Sequence, residues 1–303
     1  MLKFFKTLST VCILIAFQSC TKVIEINLPP AESKIVVNSL FTDGKQIKVH
    51  LSKSISVLDN SIPECSDATI ILIKDNVFTD TLFLSGGYYR SHLNAERGKK
   101  YSLIVTAPQM DSVTCNDVIP EKTLIQNYNL TDSVMINEDG FPITTFELNF
   151  IDQPGPNYYE ISMVAEYPSY GQSSKRNVSY EKNSDPVLTS TGLLDYRPQT
   201  LIFSDYLFNE KSYSLKVNYA IYADIPKIGS GPSYGYKLHV SFRSVSESYF
   251  KYKEKQIVYL FGLDPDIFSG TSEPVQLFSN ITGGYGIFAG YSSDDKTIDV
   301  IVR

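Results

Sequence analysis

Short runs of alternating apolar and polar residues dominate the chain and predict β-strands. In residues 47–52 (IKVHLS) the two classes alternate strictly, which is the period of a strand with one buried face. A similar run occupies 34–40, and the Asp43-Gly44 pair between the two is a strong hairpin signal. Further runs follow at short spacing: 68–74, 81–84, 88–90, 100–106 and 112–114. This spacing predicts a β-sandwich domain of immunoglobulin-like or prealbumin-like type over 34–120.

The second half of the chain continues the β pattern and is predicted to form a C-terminal β-rich domain over 121–303. The predicted strands are 145–151, 158–167, 213–222, 236–243, 274–281, 286–291 and 297–302. Between them, residues 168–198 are rich in Ser, Asn and Tyr with little apolar periodicity, so we expect long surface loops there. Long loops on a β scaffold commonly carry binding residues.

One helix is predicted, from Val245 to Leu260 in the second domain. Ser244 and Glu247 have the spacing of a capping box, and the run contains no Pro and no Gly. Its tyrosines fall near one stripe with most of the charges elsewhere, which indicates an amphipathic helix packed on a sheet. The tyrosine stripe could instead line a ligand site, although core packing is the commoner use.

The first twenty residues have the layout of a lipoprotein signal peptide. Lys3 and Lys6 precede a short apolar stretch, and Ser19 stands directly before Cys20. We therefore expect residues 1–19 to be removed, Cys20 to be acylated, and 20–33 to form a tether. The apolar stretch is too short for a bilayer span of about 20 residues. The alternative is an ordinary secretory signal in which the cysteine occurs by chance.

The remaining cysteines suggest one disulfide. Loss of Cys12 with the signal and acylation of Cys20 would leave Cys65 and Cys115. Two thiols in an oxidising compartment favour a Cys65–Cys115 bridge. A reactive or metal-binding thiol pair is the alternative, and the absence of a histidine cluster near either cysteine in the sequence counts against it.

Composition and charge narrow the classes of function. After removal of the signal peptide, 25 basic and 33 acidic residues remain, a net charge of −8, which argues against a nucleic-acid partner. Aromatic residues are plentiful, with 21 Tyr and 17 Phe, in keeping with a mainly β fold. The sequence has no nucleophile motif, so we expect no enzyme, catalytic residues, metal or cofactor. Asp264 and Asp266 could suggest calcium, but their spacing favours a solvated loop.

Several segments resemble the Bacteroidota lipoproteins classified as domain of unknown function 4249, over nearly the whole chain. The segments that carry the resemblance are Cys20–Pro29, Ile35–Asn38, Leu51–Ser54, Ser66–Ala68, Gly86–Arg90, Arg243–Phe250, Glu273–Val275 and Ser279–Gly290. The resemblance implies a lipid-anchored outer-membrane protein, exposed at the cell surface, whose gene accompanies a TonB-dependent transporter. The expected function is thus that of a non-catalytic accessory subunit in nutrient uptake. The alternative is a stand-alone surface adhesin or structural lipoprotein.

Three short segments also resemble the Asp-Ser/Thr-aliphatic acceptor of Bacteroidota O-glycosylation. Their hydroxyl residues are Thr81, Ser112 and Ser133. The triplet is short, and chance alone would produce about one in such a chain. The alternative is that all three are ordinary hydroxyls at strand edges.

Overall fold

The computed structural model describes residues 32–56, 61–169, 172–182, 184–222, 234–263 and 275–302. From Ser33 onward the chain forms one compact unit. Its elements are β1 Ile35–Thr42, β2 Gln46–Lys53, β3 Thr69–Lys74, β4 Val77–Thr81, β5 Phe83–Ser85, β6 Tyr88–Asn94, β7 Lys100–Thr106, β8 Val113–Val118, β9 Asn127–Ile136, β10 Pro142–Ile151, β11 Tyr158–Ser169, β12 Gln172–Asn177, β13 Ser179–Tyr180, α1 Pro186–Thr189, a 3-10 turn Leu193–Tyr196, β14 Leu201–Ser204, β15 Ser212–Ala220, β16 Tyr234–Val245, α2 Glu247–Gly262 and β17 Tyr285–Val302. The prediction of a mainly β fold is confirmed.

One nine-stranded sheet runs through the unit. Its strand order is β12-β11-β16-β17-β1-β2-β6-β5, with β14 also paired to β11. Two four-stranded sheets accompany it, in the orders β4-β3-β7-β8 and β13-β15-β10-β9. Each of the smaller sheets shares a hydrophobic core with a different part of the large sheet, so the packing is sandwich-like in both places.

The two cores separate largely by sequence. The first core contains buried residues between Ile35 and Ile119, together with Ile281 and Phe288. The second core draws its buried residues from 125–300 and is rich in aromatic side chains. The domain boundaries predicted from the sequence stay a prediction, because the contacts join both cores in one unit.

Strand β17 contributes to both cores because it is 18 residues long. Its first part pairs in parallel with β1, and its remainder pairs antiparallel with β16. The approach to β1 is so close that a Cβ on Gly286, which has φ +107°, would lie 2.0 Å from the Val37 carbonyl oxygen. Only glycine fits there without displacing the backbone. This pairing closes the first core with residues from the far end of the chain.

Two expectations from the sequence are wrong. Residues 168–198 are not long surface loops: they contain the end of β11, strands β12 and β13 and helix α1, and bury side chains such as Val187 and Leu194. The segments predicted as separate strands at 286–291 and 297–302 are one continuous strand, while 275–280 is irregular. Pairing with long neighbours on either side holds β17 extended through its polar middle, which local patterning does not report.

The predicted helix exists but begins two residues later, and its cap differs. Ser246 is the N-cap and accepts a hydrogen bond from Tyr249 N at 3.2 Å. Ser244, the predicted capping residue, belongs to β16, and its hydroxyl accepts from Thr123 N at 3.1 Å. The ladder of β16 with β11 and β17 continues to Val245 and so delays the helix. No helix in the described part of the chain is long and apolar enough to cross a membrane.

Candidate functional site: a groove beside helix α2

The outer face of strands β2 and β6 carries a group of polar and aromatic side chains. Successive side chains of a strand point to opposite faces. On β2, Val49 is buried in the first core while Lys48 and His50 turn away from it, and on β6 Tyr88 and Arg90 turn the same way. The buried residues that alternate with these side chains fix them on a packed sheet.

Two pairs of these outward side chains lie opposite each other. Lys48 is the cross-strand partner of Arg90, and the rings of His50 and Tyr88 have their centroids 5.7 Å apart. The Arg90 guanidinium carbon lies 5.8 Å from the Tyr88 centroid, within cation–π range, and Arg90 Nε donates to the Ser85 carbonyl oxygen at 3.2 Å. Two permanent cations are therefore immediate neighbours on one face.

Helix α2 lies beside this face and makes it one side of a groove with two lobes. The lobe over the outward side chains, here called the basic lobe, measures about 800 Å³ and is closed on the helix side by Tyr252, Lys253 and Gln256. The second lobe measures about 1160 Å³ and lies between α2 and the segment 275–279. Asn38 and Tyr252 line both lobes, so the two adjoin.

The charge of the groove is one-sided. The described residues that line its two lobes include no Asp and no Glu. Within the described residues, neither Lys48 nor Arg90 forms an ion pair. Cations with low-dielectric walls around them create a positive potential that attracts anions. The basic lobe is thus an anion-attracting surface in a chain whose net charge is negative.

A buried ionic cluster holds α2 against the sheet. Glu160 of β11 is fully buried; its Oε2 accepts from Arg243 at 2.7 Å and from the Tyr249 hydroxyl at 2.7 Å. The second carboxylate oxygen, Oε1, has no hydrogen-bond partner and lies 3.9 Å from Lys253 Nζ. Although burial disfavours its charge, Glu160 keeps the pKa of Arg243 above its usual value, and the guanidinium stacks over Tyr291 at 4.7 Å. The cluster fixes the wall of the groove.

A second clamp sits at the start of α2. The carboxylate of Asp117, on β8, accepts from the Ser246 hydroxyl and from Gly290 N at 3.2 Å through one oxygen, and from Val118 N at 2.8 Å through the other. Burial raises the pKa of Asp117 to about 6 in spite of these three hydrogen bonds. Asp117 therefore joins the four-stranded sheet of the first core to both the helix cap and β17.

The disulfide predicted from the sequence is absent from the structure, in which Cys65 and Cys115 are buried free thiols. Cys65 is tied to β2 by a hydrogen bond from its N to the Leu51 carbonyl oxygen at 3.2 Å, whereas Cys115 lies opposite Leu103 in the facing sheet. Facing sheets are about 10 Å apart, beyond the roughly 7 Å that a disulfide allows between Cα atoms. Burial raises the pKa of both thiols, that of Cys115 to about 12.

The other residues singled out from the sequence lie away from the groove or outside the described residues. Thr81, at the end of β4, and Ser112, just before β8, are exposed, as an acceptor for a sugar must be. The side chain of Ser133 is outside the described residues, and so are Cys20 and the Asp264/Asp266 pair. The described part of the chain contains no group of three or more His, Cys, Asp or Glu residues that could hold a metal ion.

The chain matches the family model described as a domain of unknown function, DUF4249, over residues 21–297. The chain belongs to that family. No curated protein matches it significantly. As a DUF4249 protein it includes the groove and all four residues of the Glu160, Arg243, Tyr249 and Asp117 clamps within the matched range.

Sequence reasoning missed the groove, although part of its signal was present. The alternation in 47–52 already places Lys48 and His50 on the face away from the core. What the sequence did not report is that Arg90 faces Lys48 or that α2 lies beside both, because these contacts depend on strand register and on helix docking. Glu160 and Arg243 are 83 residues apart and meet only because β11 pairs with β16.

Proposed function

We propose that this DUF4249 protein is a lipid-anchored outer-membrane protein, exposed at the cell surface, that acts as a non-catalytic accessory subunit of a TonB-dependent transporter in nutrient uptake. The observation that carries the proposal is the groove beside α2, which is open, built on a packed sheet and lined by groups suited to holding a ligand. A subunit that captures cargo for a transporter needs a surface of this kind.

The lining of the groove favours binding over catalysis. General acid–base or nucleophilic catalysis needs a base oriented by a third group, commonly an acid. His50 is the histidine that lines the groove, and its nearest aromatic neighbour is Tyr88 rather than a carboxylate. The amide, hydroxyl and cationic groups around it supply hydrogen bonds and charge, which are binding interactions.

The N-terminal sequence supports the anchor. The span from Cys20 to Ser33 would reach at most about 45 Å when fully extended. Ser33 leads directly into β1, and the next residue, Lys34, places its Nζ 5.6 Å from the ring centroid of Tyr285, a residue of the second lobe. A lipid on Cys20 would therefore keep the groove within a short distance of the membrane surface, where a transporter could receive its cargo.

The test is recovery of the tagged full-length chain from its native membrane in mild detergent, beside a Cys20→Ala variant. We expect an outer-membrane transporter in near-equal amount with the wild-type chain, and loss of the variant from the membrane fraction. Protease treatment of intact cells should cleave the wild-type chain. Recovery of the membrane-anchored chain alone would contradict the accessory role and favour an adhesin or a structural lipoprotein, which should bind matrix or glycans by itself.

A further inference from the structure

We propose that the basic lobe binds the acidic groups of an oligosaccharide, that is, the carboxylate or sulfate groups carried by its sugar rings. The inference rests on the proposed function, since it names the chemical class of the cargo that the groove would hold. Its residues are Lys48, His50, Tyr88 and Arg90 on the sheet and Lys253 on the helix.

The first argument is the unfavourable pairing of Lys48 with Arg90. Like charges directly opposite each other on neighbouring strands destabilise a sheet. The cost is not relieved by a nearby acid, because no Asp or Glu is among the described residues that line the lobe. An anion bound between the two side chains would turn repulsion into two charge-assisted hydrogen-bonding partners, and a guanidinium binds carboxylate or sulfate through paired donors.

The second argument is the combination of aromatic and amide groups around the cations. Tyr88 is 43% exposed, so part of its ring is open to a ligand, and Tyr252 borders the same lobe from the helix. An aromatic ring offers an apolar face to the ring of a sugar. Asn38 and Gln256 add amide donors and acceptors of the kind that hydroxyl groups require.

The third argument is the position of the lobe on the fold. Extended peptides commonly bind by adding a strand to a sheet edge, whereas this lobe lies over the face of β1, β2 and β6 within the sheet. The adjoining second lobe, on the other side of Tyr252, extends the groove to about twice the length of a single site. A chain of sugar units with acidic groups fits this surface better than a peptide.

The test is direct binding to the purified full-length chain in detergent, without any transporter, by calorimetry at low salt. The probes are an oligogalacturonate, the same oligosaccharide with its carboxyls methyl-esterified, a sulfated oligosaccharide, and vesicles containing phosphatidylglycerol. We expect binding of a carboxylated or sulfated oligosaccharide that weakens with added salt, and at least about tenfold weaker binding of the ester.

The variants assign the binding to the lobe. Lys48→Gln with Arg90→Gln should weaken binding at least about tenfold, whereas Lys216→Gln with Lys237→Gln, which removes two charges from exposed strand positions elsewhere, should change it less than about twofold. Tyr88→Leu, which keeps the charges, should also weaken binding. Thermal unfolding of each variant shows whether it is folded.

Four results would overturn the inference: no binding of either acidic oligosaccharide, equal binding of the methyl ester, unchanged binding by the Lys48/Arg90 double variant, or binding of the anionic vesicles alone. Because the measurement uses the purified chain, its failure leaves the association with a transporter untouched. Conversely, loss of that association would not change the affinity of the isolated protein for the sugar.

Discussion

The buried pair formed by Glu160 and Arg243 gives the sharpest prediction about how the groove is held together. Replacement of Arg243 by Met retains much of the packing of the long side chain over Tyr291 and removes the charge. The fully buried Glu160 carboxylate then keeps only the Tyr249 hydroxyl and the more distant Lys253 ammonium. A buried charge without its partner is the most expensive outcome of such a change.

The magnitude follows from the geometry. At 2.7 Å and an effective dielectric constant of about 20, the attraction between the two charges is about 6 kcal/mol before desolvation is counted. Breaking a buried pair by removing one partner typically costs about 3–5 kcal/mol. Because Lys253 lies 3.9 Å from the second carboxylate oxygen and can move closer, we expect the lower end, about 3 kcal/mol.

The assay is urea unfolding followed by circular dichroism, with a double-mutant cycle. Arg243→Met should lower the free energy of unfolding by about 3 kcal/mol without changing the dependence on urea. Glu160→Leu combined with Arg243→Met, which leaves no buried charge at the pair, should cost less than about 1 kcal/mol. A loss below about 1 kcal/mol for Arg243→Met alone, or additive effects in the cycle, would refute the anchoring role of this pair.

Three further predictions concern the backbone, the pH dependence and the thiols. Gly286→Ala should destabilise the protein by at least about 3 kcal/mol because its Cβ would collide with a backbone oxygen of β1, whereas Gly140→Ala, also at positive φ but with open space around it, should cost about 1 kcal/mol in the same urea assay; equal costs would contradict the close approach. The Asp117 carboxyl has a raised folded-state pKa, so its contribution to stability is complete below about pH 4 and is lost as pH rises through about 6; relative to Asp117→Asn, the wild type should lose on the order of 2 kcal/mol over that interval, and parallel pH profiles would contradict this. In a chain from Ser33 onward, Cys65 and Cys115 should resist a thiol reagent while folded and both react in denaturant without reductant; a disulfide-linked peptide in mass spectra would contradict the free thiols.

The sequence determined the local features of this protein, because they depend on interactions between near neighbours. The alternation in 47–52 and the turn at Asp43-Gly44 correctly predicted the hairpin of β1 and β2 and the inward face of each strand. The run that follows Ser246 correctly predicted one amphipathic helix, within two residues of its start. The family, too, is a property of the sequence alone.

Tertiary structure alone decided everything that joins distant parts of the chain. The parallel pairing of β1 with β17 links residues about 250 positions apart, and it is what closes the first core. The same is true of the Glu160–Arg243 pair and of the Lys48–Arg90 opposition, since a strand's pattern fixes its buried face but not its neighbour or register. The disulfide failed for this reason: the cysteine count is local information, whereas the sheets that carry Cys65 and Cys115 stand on opposite sides of a core. The groove exists only where a docked helix meets the face of a sheet, so no single segment of the sequence contains it.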